Sequence, residues 1–256
     1  MILAIDAGNT RCKWALFDPK ASVVAEGSWL NEALADSVLP ACWQEAKRIV
    51  VSNVAGLVAS RPLLTLFEQL KAPVHWVHAS HAAAGVFNSY QPPEALGSDR
   101  WAGLIAAWQH YRAPCLVVSA GTALTVDMLG RHEQPSGGEF KGGTISPGFR
   151  LMHQALLQNT DGIRTLPGMW RTAPTNTGDA LYTGISHAMA GSVLLQWQQM
   201  KTLPELDPAI VIPCVLTGGD AELLRQALVQ AQADMPITID ASLVLRGLFY
   251  LERECL

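Results

Sequence analysis

Residues 2–10 read ILAIDAGNT, and residues 116–122, LVVSAGT, repeat the same pattern. In each stretch a short apolar run reaches a polar residue, Asp6 or Ser119, and then turns at an Ala-Gly pair. A short apolar run bounded by a turn signal indicates a buried β-strand. Because the two stretches lie about half a chain apart, they predict that the chain consists of two related halves.

The first of these turns has the chemistry of a phosphate site. Glycine lets the backbone approach a ligand closely, and successive N–H groups in such a turn form an anion-binding concavity. Asp6 can hold Mg²⁺ directly or through water, and Lys13 can neutralise a phosphate oxygen. The alternative is an ordinary hairpin turn with a solvated aspartate.

Composition limits the classes of protein to be considered. The chain has 256 residues, enough for one large domain or two ordinary ones, and its 49% apolar and 16% charged residues exclude a disordered chain. A net charge of −4 without a Lys/Arg cluster disfavours nucleic-acid binding. Five scattered cysteines without a CxxC pair fit a reducing compartment. With neither a signal-peptide pattern nor a run of transmembrane length, we expect a soluble cytoplasmic protein.

Strand-like and helix-like segments alternate along the chain, which predicts an α/β protein with largely covered sheets. Pro114 ends one helix and begins the second half, so the predicted domains are residues 1–113 and 114–256. Ser98 and Thr177 are predicted helix N-caps. The predicted strands are 48–52, 74–77, 124–129 and 209–216, with a hairpin at 136–143; the predicted helices are 62–71, 98–112, 151–158, 177–201, 221–232 and 242–252.

The segment Gly97-Ser98-Asp99-Arg100 is the second candidate site. Asp99 is suited to take a proton from an alcohol, and the Arg100 guanidinium to hold an anionic substrate through two hydrogen bonds. Tyr90 is a candidate wall of the same pocket. The alternatives are an acid that only compensates the helix dipole, and a tyrosine that only packs.

Two glycine-rich segments in the second half are candidate ligand loops. Residues 142–148 form either a plain hairpin or a loop that closes over a ligand. At Gly218 and Gly219 the missing Cβ leaves room for a base or ribose against the backbone, as an adenosine-binding turn requires.

Two further patterns receive weaker interpretations. His75, His78 and His81 recur every three residues, but this spacing places neighbours on opposite faces of a strand, so we predict no metal there. Gly184 and Gly191, on the predicted long helix, belong to a stripe of small residues that permits close packing, either within the fold or across a dimer.

Six motifs in order, from residue 3 to about residue 220, resemble those of type III pantothenate kinases. Residues 6–13 (DAGNTRCK) resemble the DxGNTxxK phosphate motif, and residues 97–100 match GxDR. Residues 121–125 resemble the second phosphate motif. The remaining resemblances are residues 142–148 to GGxIxPG, residues 176–181 to NTxxAI with Leu for Ile, and residues 217–220 to the adenosine motif.

The resemblance implies a homodimer of the actin-like ATPase superfamily, with two duplicated ribonuclease-H-like domains and the nucleotide cleft between them. It implies phosphorylation of pantothenate to 4'-phosphopantothenate with Mg·ATP, the first step of coenzyme A synthesis. Asp99 would be the general base, and Thr177 would reach the pocket from the partner subunit. The implied substrate-binding residues are Tyr90, Gly97, Ser98, Asp99, Arg100 and Thr177. The implied ATP-binding residues are Asp6, Ala7, Gly8, Asn9, Thr10, Arg11, Cys12, Lys13, Gly121, Thr122, Gly218 and Gly219, with Asp6 also on Mg²⁺.

One position departs from the family pattern. Where the family commonly has an aspartate that binds a monovalent cation, K⁺ or NH₄⁺, this chain has Ser119. A neutral hydroxyl binds K⁺ far less strongly than a carboxylate does, so we expect the cation dependence to be weakened or rearranged. Asp127 lies further along the same segment.

Three other functions remain open at this point. One is a kinase of the same superfamily that acts on another small alcohol. Another is a catalytically silent family member that acts as a transcriptional accessory protein, which the acidic net charge disfavours through direct DNA contact. A third is an actin-like ATPase that drives a partner and turns over ATP without pantothenate.

Overall fold

The computed structural model describes residues 1–133, 136–161, 163, 167–207, 209–231 and 234–254. Strands and helices alternate along these residues, as the sequence predicts for an α/β protein. The strands are β1 (Ile2–Ala7), β2 (Arg11–Phe17), β3 (Val23–Leu30), β4 (Arg48–Asn53), β5 (Val74–Trp76), β6 (Ala82–Ala83), β7 (Val86–Asn88), β8 (Cys115–Ala120), β9 (Ala123–His132), β10 (Gly137–Pro147), β11 (Cys214–Thr217) and β12 (Ile237–Ile239). The α-helices are α1 (Leu57–Phe67), α2 (Ser98–Tyr111), α3 (Phe149–Asn159), α4 (Thr177–Lys201), α5 (Ala221–Gln230) and α6 (Leu243–Glu254).

The chain forms two compact units. Unit 1 comprises Met1–Ala113, Gly130–Phe140 and the segment from Ser242 onward, and unit 2 comprises Pro114–Leu129 and Lys141–Ala241. Unit 2 begins at Pro114, and unit 1 also includes two segments that follow this residue in the chain. The physical reason is packing: α6 lies against α2, and residues 138–140 of β10 pair with β7.

The sheet of unit 1 has the strand order β3-β2-β1-β4-β5. Strand β1 pairs antiparallel with β2 and parallel with β4, and β4 pairs parallel with β5. Strands β1 and β4 are buried along almost their whole length, as expected for parallel strands covered on both faces. The carboxyl end of β1 therefore carries Asp6 on a rigid, buried support.

The strands of unit 2 follow the same order, β10-β9-β8-β11-β12. Its central strand β8 pairs antiparallel with β9 and parallel with β11, and β11 pairs parallel with β12. The predicted duplication is confirmed, because the two units share the order of their strands. Asp6 and Ser119 are each the next-to-last residue of a central strand, β1 or β8.

Each unit has its own apolar core. In unit 1, Trp14 and Trp43 pack edge to face with their ring centroids 5.6 Å apart, beneath the buried residues of β1 and β4. In unit 2, Met189 and Val193 of α4 pack with the buried residues of β8 and β11. Within the described ranges, no helix is long and apolar enough to cross a membrane.

Several element boundaries differ from the prediction. Helix α1 spans Leu57–Phe67 rather than 62–71, so Pro62 lies inside the helix instead of opening it. Strand β11 begins only at Cys214, directly after Pro213, which has no N–H to donate to a sheet. The predicted helix end at residue 232 lies outside the described residues.

Both predicted helix caps are wrong by one residue. Gly97 occupies the N-cap of α2, and the Ser98 hydroxyl instead pairs with the hydroxyl of Ser52 at 2.8 Å. Asn176 caps α4, where its side-chain oxygen accepts a hydrogen bond from the Asp179 amide at 2.9 Å. Asn176 and Thr177 are both favoured at an N-cap, and glycine is also accepted there, so sequence spacing alone does not choose between neighbouring residues.

Candidate active site

The site in unit 1 begins with Asp6 at the end of β1. In the sheet register Asp6 lies opposite Lys13 of β2 on one side and Ser52 of β4 on the other. Register partners on adjacent strands project from the same face of the sheet, so the carboxylate and the ammonium group extend in the same direction. The sequence predicted both residues, and the antiparallel pairing of β1 with β2 brings them together.

The Asp6 carboxyl group is buried and lacks the partners that a buried carboxylate needs. Burial and, to a lesser extent, the Asp99 carboxylate raise its pKa from 3.8 to about 7, although Lys13 opposes the rise. Among the described residues its Oδ1 atom accepts no hydrogen bond. Mg²⁺ prefers carboxylate oxygens, so this orphaned oxygen fits a ligand of that ion.

The turn after β1 is held by Asn31, which sequence analysis missed. The Gly8 amide donates to the Arg11 carbonyl at 3.1 Å, and the Asn31 side chain donates to the Gly8 carbonyl at 2.8 Å. The Asn31 amide also donates to the Thr10 carbonyl at 3.1 Å. The only sequence signal was an asparagine directly after the apolar end of β3.

Cys12 lies within the predicted phosphate motif, but its side chain belongs to the core. It is fully buried, and burial together with Asp6 raises the pKa of its thiol to about 12. Any contact of Cys12 with a phosphate must therefore come from its main chain.

Asp99 lies in the first turn of α2, next to the glycine that caps the helix. Its Oδ1 accepts a hydrogen bond from the Arg100 amide at 2.8 Å, and a Cβ atom on Gly97 would lie 2.7 Å from that oxygen. Burial raises the pKa of Asp99, while the Arg100 amide and guanidinium oppose the rise. Gly97 thus leaves the space in which the carboxylate folds back over the helix start.

Arg100 extends from the same turn toward two aromatic rings. Its guanidinium carbon lies 5.8 Å from the Tyr90 ring centroid and 5.7 Å from that of Phe140. Asn88 organises the Tyr90 loop, because its Oδ1 accepts from the Tyr90 amide at 3.0 Å and its amide group donates to the Pro93 carbonyl at 3.0 Å. Phe140 and Asn88 were missed, since neither is near Arg100 in sequence.

In unit 2 the turn after β8 is enclosed by two glycine turns. The Gly121 amide donates to the Ala123 carbonyl at 3.0 Å, and the Gly148 amide donates to the Thr122 carbonyl at 3.0 Å. A Cβ atom on Gly148 would lie 2.0 Å from the Gly121 carbonyl oxygen, and one on Gly218 would lie 2.2 Å from the Ala120 carbonyl oxygen. Only glycine permits these approaches.

In the turn that resembles an adenosine motif, Gly218 is closely packed and Gly219 is not. Gly218 adopts a φ of +99°, which favours glycine, whereas a Cβ atom on Gly219 would have no heavy atom within 4 Å. The Asp220 amide donates to the Ala120 carbonyl at 2.9 Å. The turn is therefore tied to the end of β8 at one glycine and leaves space beside the other.

Ser119 shares its face of the sheet with further polar residues. In the register it lies opposite Thr125 of β9 and Thr217 of β11. The buried Asp127 lies opposite Val117, two residues along β8 from Ser119. Residues two apart on a strand project from the same face, so Asp127 and Ser119 are diagonal neighbours, about 7–8 Å apart between Cα atoms.

Thr177 opens α4 on an exposed surface. The neighbouring Asp179 accepts from the Met169 amide at 2.9 Å and from the Asn176 amide group at 2.9 Å; hydrogen bonds of this kind lower its pKa. Further along α4, Gly184 and Gly191 are exposed, and Cβ atoms there would have no heavy atom within 4 Å. The small-residue stripe is therefore unused by the described residues of the chain.

The histidines at 75, 78 and 81 do not act as one group. His75 Nδ1 lies 2.8 Å from Glu252 Oε2, and Arg48 Nε lies 2.7 Å from Glu252 Oε1. The buried Glu252 carboxylate thus ties α6 to β4 and β5, which is a structural role.

The sequence matches the family model described as type III pantothenate kinase over residues 2–199. It is 41% identical to the type III pantothenate kinase of Methylobacillus flagellatus, with 98% of each chain covered. It is 39% identical to that of Nitrosospira multiformis, with 99% of this chain and 92% of the relative covered.

Solved structures with the same fold are more distant in sequence. A putative Baf family transcriptional activator from Campylobacter jejuni has a TM-score of 0.62 at 18% identity, with 99% of this chain and 98% of that chain covered. A putative 2-dehydro-3-deoxygalactonokinase from Sinorhizobium meliloti has a TM-score of 0.56 at 13% identity, with 99% and 98% covered.

Structures this distant in sequence establish only that the fold is shared. The family itself rests on the sequence matches, since these extend over almost the entire chain. On these grounds the chain belongs to the type III pantothenate kinase family.

Proposed function

We propose that this protein transfers the γ-phosphoryl group of ATP to the primary hydroxyl of pantothenate, which yields 4'-phosphopantothenate and ADP and begins coenzyme A synthesis. The observation that carries the proposal is the pair of half-buried carboxylates Asp6 and Asp99, which interact electrostatically at the end of β1 and the start of α2. Two such groups, one for a metal and one for a proton, are what phosphoryl transfer to an alcohol requires.

Asp99 is the proposed general base. The hydroxyl oxygen of pantothenate forms a bond to the γ-phosphorus, the bond from that phosphorus to the β,γ-bridging oxygen breaks, and the hydroxyl proton passes to Asp99. Burial raises the pKa of Asp99, which makes the carboxylate a better proton acceptor than an exposed aspartate. The Arg100 guanidinium, close to the faces of Tyr90 and Phe140, binds the pantothenate carboxylate.

Asp6 and Lys13 are the residues proposed to act on the phosphates of ATP and the bound Mg²⁺. Mg²⁺ neutralises charge on the transferred phosphoryl group when it is bound. The unpartnered Oδ1 of Asp6 fits a ligand of that ion, and the Lys13 ammonium faces the same side of the sheet. Residues 7–11 form the turn whose backbone approaches the phosphates, although the Gly8 amide itself donates to the Arg11 carbonyl.

In unit 2, the proposed ATP-binding residues are Gly121, Thr122, Gly218 and Gly219. The open space at Gly219 fits a base or ribose lying on the backbone, while Gly218 and Gly148 keep the turn close to the end of β8. Ser119 is a weaker ligand for K⁺ or NH₄⁺ than a carboxylate, so we propose that activity depends little on these ions, or that Asp127 replaces the missing charge.

The proposed assembly is a homodimer in which Thr177 reaches the partner's pantothenate pocket. Two observations support it: Thr177 is exposed, and the glycines at 184 and 191 leave an open, closely approachable surface on the same helix. Small residues on a helix allow another backbone to approach.

A coupled ADP-release assay with Mg·ATP, with and without pantothenate, tests the function. We expect pantothenate-dependent ADP release that Asp99→Asn reduces about 100-fold or more. Glu68→Gln, at an exposed acid directly after α1, should leave it unchanged. ADP release without pantothenate would favour a partner-driving ATPase. No ADP release from a folded protein would favour the regulatory alternative, which has no specific support here beyond the fold shared with a protein named as an activator.

A further inference from the structure

The buried hydroxyl pair Ser52–Ser98 has no place in the mechanism described so far. Ser52 lies on β4 with no exposed surface, and its Oγ lies 2.8 Å from the Oγ of Ser98. The residues before it on the strand, Ile49, Val50 and Val51, are equally buried and apolar. A hydroxyl in such surroundings costs free energy unless it is hydrogen-bonded, and here one serine hydroxyl donates to the other.

The pair connects the two elements that carry the catalytic carboxylates. Ser52 is the register partner of Asp6 across the parallel strands β1 and β4. Ser98 is the first residue of α2 and directly precedes Asp99. One side-chain hydrogen bond therefore joins the strand beside Asp6 to the residue beside Asp99.

The first turn of α2 has no side-chain cap to fix it. The N-cap is Gly97, which contributes only its carbonyl, as acceptor of the Trp101 amide at 2.9 Å. The Asp99 carboxylate bonds to the adjacent Arg100 amide within the same turn, so it moves with that turn. The Ser98 hydroxyl and its partner therefore supply the side-chain hydrogen bond between this turn and the sheet, in addition to the packing of α2 against α6 and β4.

We propose that Ser52 is a positioning residue for phosphoryl transfer: through the Ser98 hydroxyl it fixes Asp99 relative to Asp6. This inference rests on the proposed function, because it assigns the base to Asp99. A displacement of about 1 Å at a reacting group can cost up to about 100-fold in rate, so loss of a single hydroxyl has a measurable effect on turnover.

The experiment compares Ser52→Ala, Ser98→Ala and the double variant. We expect each single variant to lower kcat about tenfold, with the KM for ATP within about twofold of wild type. The double variant should be no slower than the slower single variant, because the two hydroxyls act as one unit. Ser52→Cys keeps a weak donor of similar size and should recover part of the lost kcat.

Ser186→Ala is the matched control for stability. Ser186 is also buried, and its hydroxyl donates to the Tyr182 carbonyl at 2.8 Å in unit 2. We expect this variant to lower the free energy of unfolding by a similar amount and to leave kcat unchanged. If Ser52→Ala keeps more than half of wild-type kcat, or loses kcat only in proportion to its unfolded fraction, the inference is wrong.

Hydrogen exchange provides a readout that does not depend on activity. In Ser52→Ala, exchange of the Trp101 amide at the start of α2 should accelerate, whereas amides in the middle of the helix should exchange as in wild type. If the Trp101 amide exchanges as in wild type, the hydrogen bond between Ser52 and Ser98 does not hold the start of α2. If the wild-type protein releases no pantothenate-dependent ADP, the proposed function fails, and the exchange result still decides whether the hydroxyl pair holds the helix start.

Discussion

The carboxylates of Asp6 and Asp99 lie close enough to repel each other, one at the end of β1 and the other in the first turn of α2. Burial and this repulsion together raise the pKa of Asp6 to about 7, even though Lys13 lies opposite in the sheet. The folded protein therefore holds an unfavourable arrangement of charge at Asp6, which a proton or a bound cation relieves.

The first prediction concerns stability against pH. Between about pH 4 and pH 7 the folded state holds a proton on Asp6 that the unfolded state has lost, so the free energy of unfolding falls as the pH rises through this interval. Asp6→Asn removes this loss of stability, because asparagine does not ionise. Without Mg²⁺ the variant should be more stable than wild type at pH 8, by up to about 4 kcal/mol, and equally stable at pH 4. Urea unfolding across this pH range measures the difference, with Asp36→Asn, an exposed acid, as control. If Asp6→Asn differs from wild type in free energy of unfolding by the same amount at every pH, the pKa of Asp6 is not raised.

The second prediction concerns Arg100. Arg100→Lys keeps the charge but loses the planar guanidinium that lies near Tyr90 and Phe140. We expect the KM for pantothenate to rise about tenfold, because an ammonium cannot form two parallel hydrogen bonds with a carboxylate. The KM for ATP should stay within about twofold. Steady-state kinetics with each substrate varied in turn measure both constants, and an equal rise in the two would contradict a specific role in the acceptor pocket.

The third prediction uses two adjacent glycines as a matched pair. Gly218→Ala requires a side chain at φ +99° and 2.2 Å from the Ala120 carbonyl oxygen, so it should lower the melting temperature. Gly219→Ala meets no heavy atom within 4 Å and should melt as wild type does. If adenosine lies on Gly219, this second variant should still raise the KM for ATP. Thermal unfolding and ATP titration separate the two effects, and an unchanged KM in Gly219→Ala would place the adenosine elsewhere.

The fourth prediction concerns the homodimer. Asp99→Asn and Thr177→Tyr should each be inactive, since one lacks the base and the other blocks the partner's pocket. When the two are mixed and allowed to exchange subunits, a hybrid dimer should contain one site with an intact Asp99 and an intact Thr177 from the other chain. We therefore expect activity to return in the mixture. If Thr177 acts within its own chain, no hybrid site is intact and the mixture stays inactive.

The fifth prediction concerns the monovalent cation. Replacing K⁺ and NH₄⁺ by Na⁺ should change the wild-type rate by less than about twofold, because Ser119 offers a hydroxyl rather than a carboxylate. Ser119→Asp should bind K⁺, which would show as a K⁺-specific rise in melting temperature as well as in rate. A sharp loss of wild-type activity in Na⁺ would overturn the prediction. Asp127 would then be the candidate ligand for the cation.

The elements predicted correctly are those in which a local sequence pattern also sets the end of a buried strand. The repeated apolar run before an Ala-Gly turn predicted strands β1 and β8, and both ended in the expected turn because a buried strand must leave the sheet where polar residues begin. Sequence analysis failed at the helix caps, since Asn176 and Thr177 are both good caps and only backbone geometry distinguishes them. It also failed to assign α6 to unit 1, because Gly247 and Ala102, which meet there, are far apart in the chain.

The sequence by itself determined the alternation of strands and helices, the duplicated halves and the residue types available for phosphate, metal and proton. These follow from periodicity and side-chain chemistry, which are local properties. Only the tertiary structure decided that Asn31 holds the turn after β1, that Phe140 flanks Arg100 and that Ser52 contacts Ser98. Those contacts depend on strand register and on helix packing between residues distant in sequence, and burial, which gives the carboxylates their raised pKa values, arises only when the chain has packed.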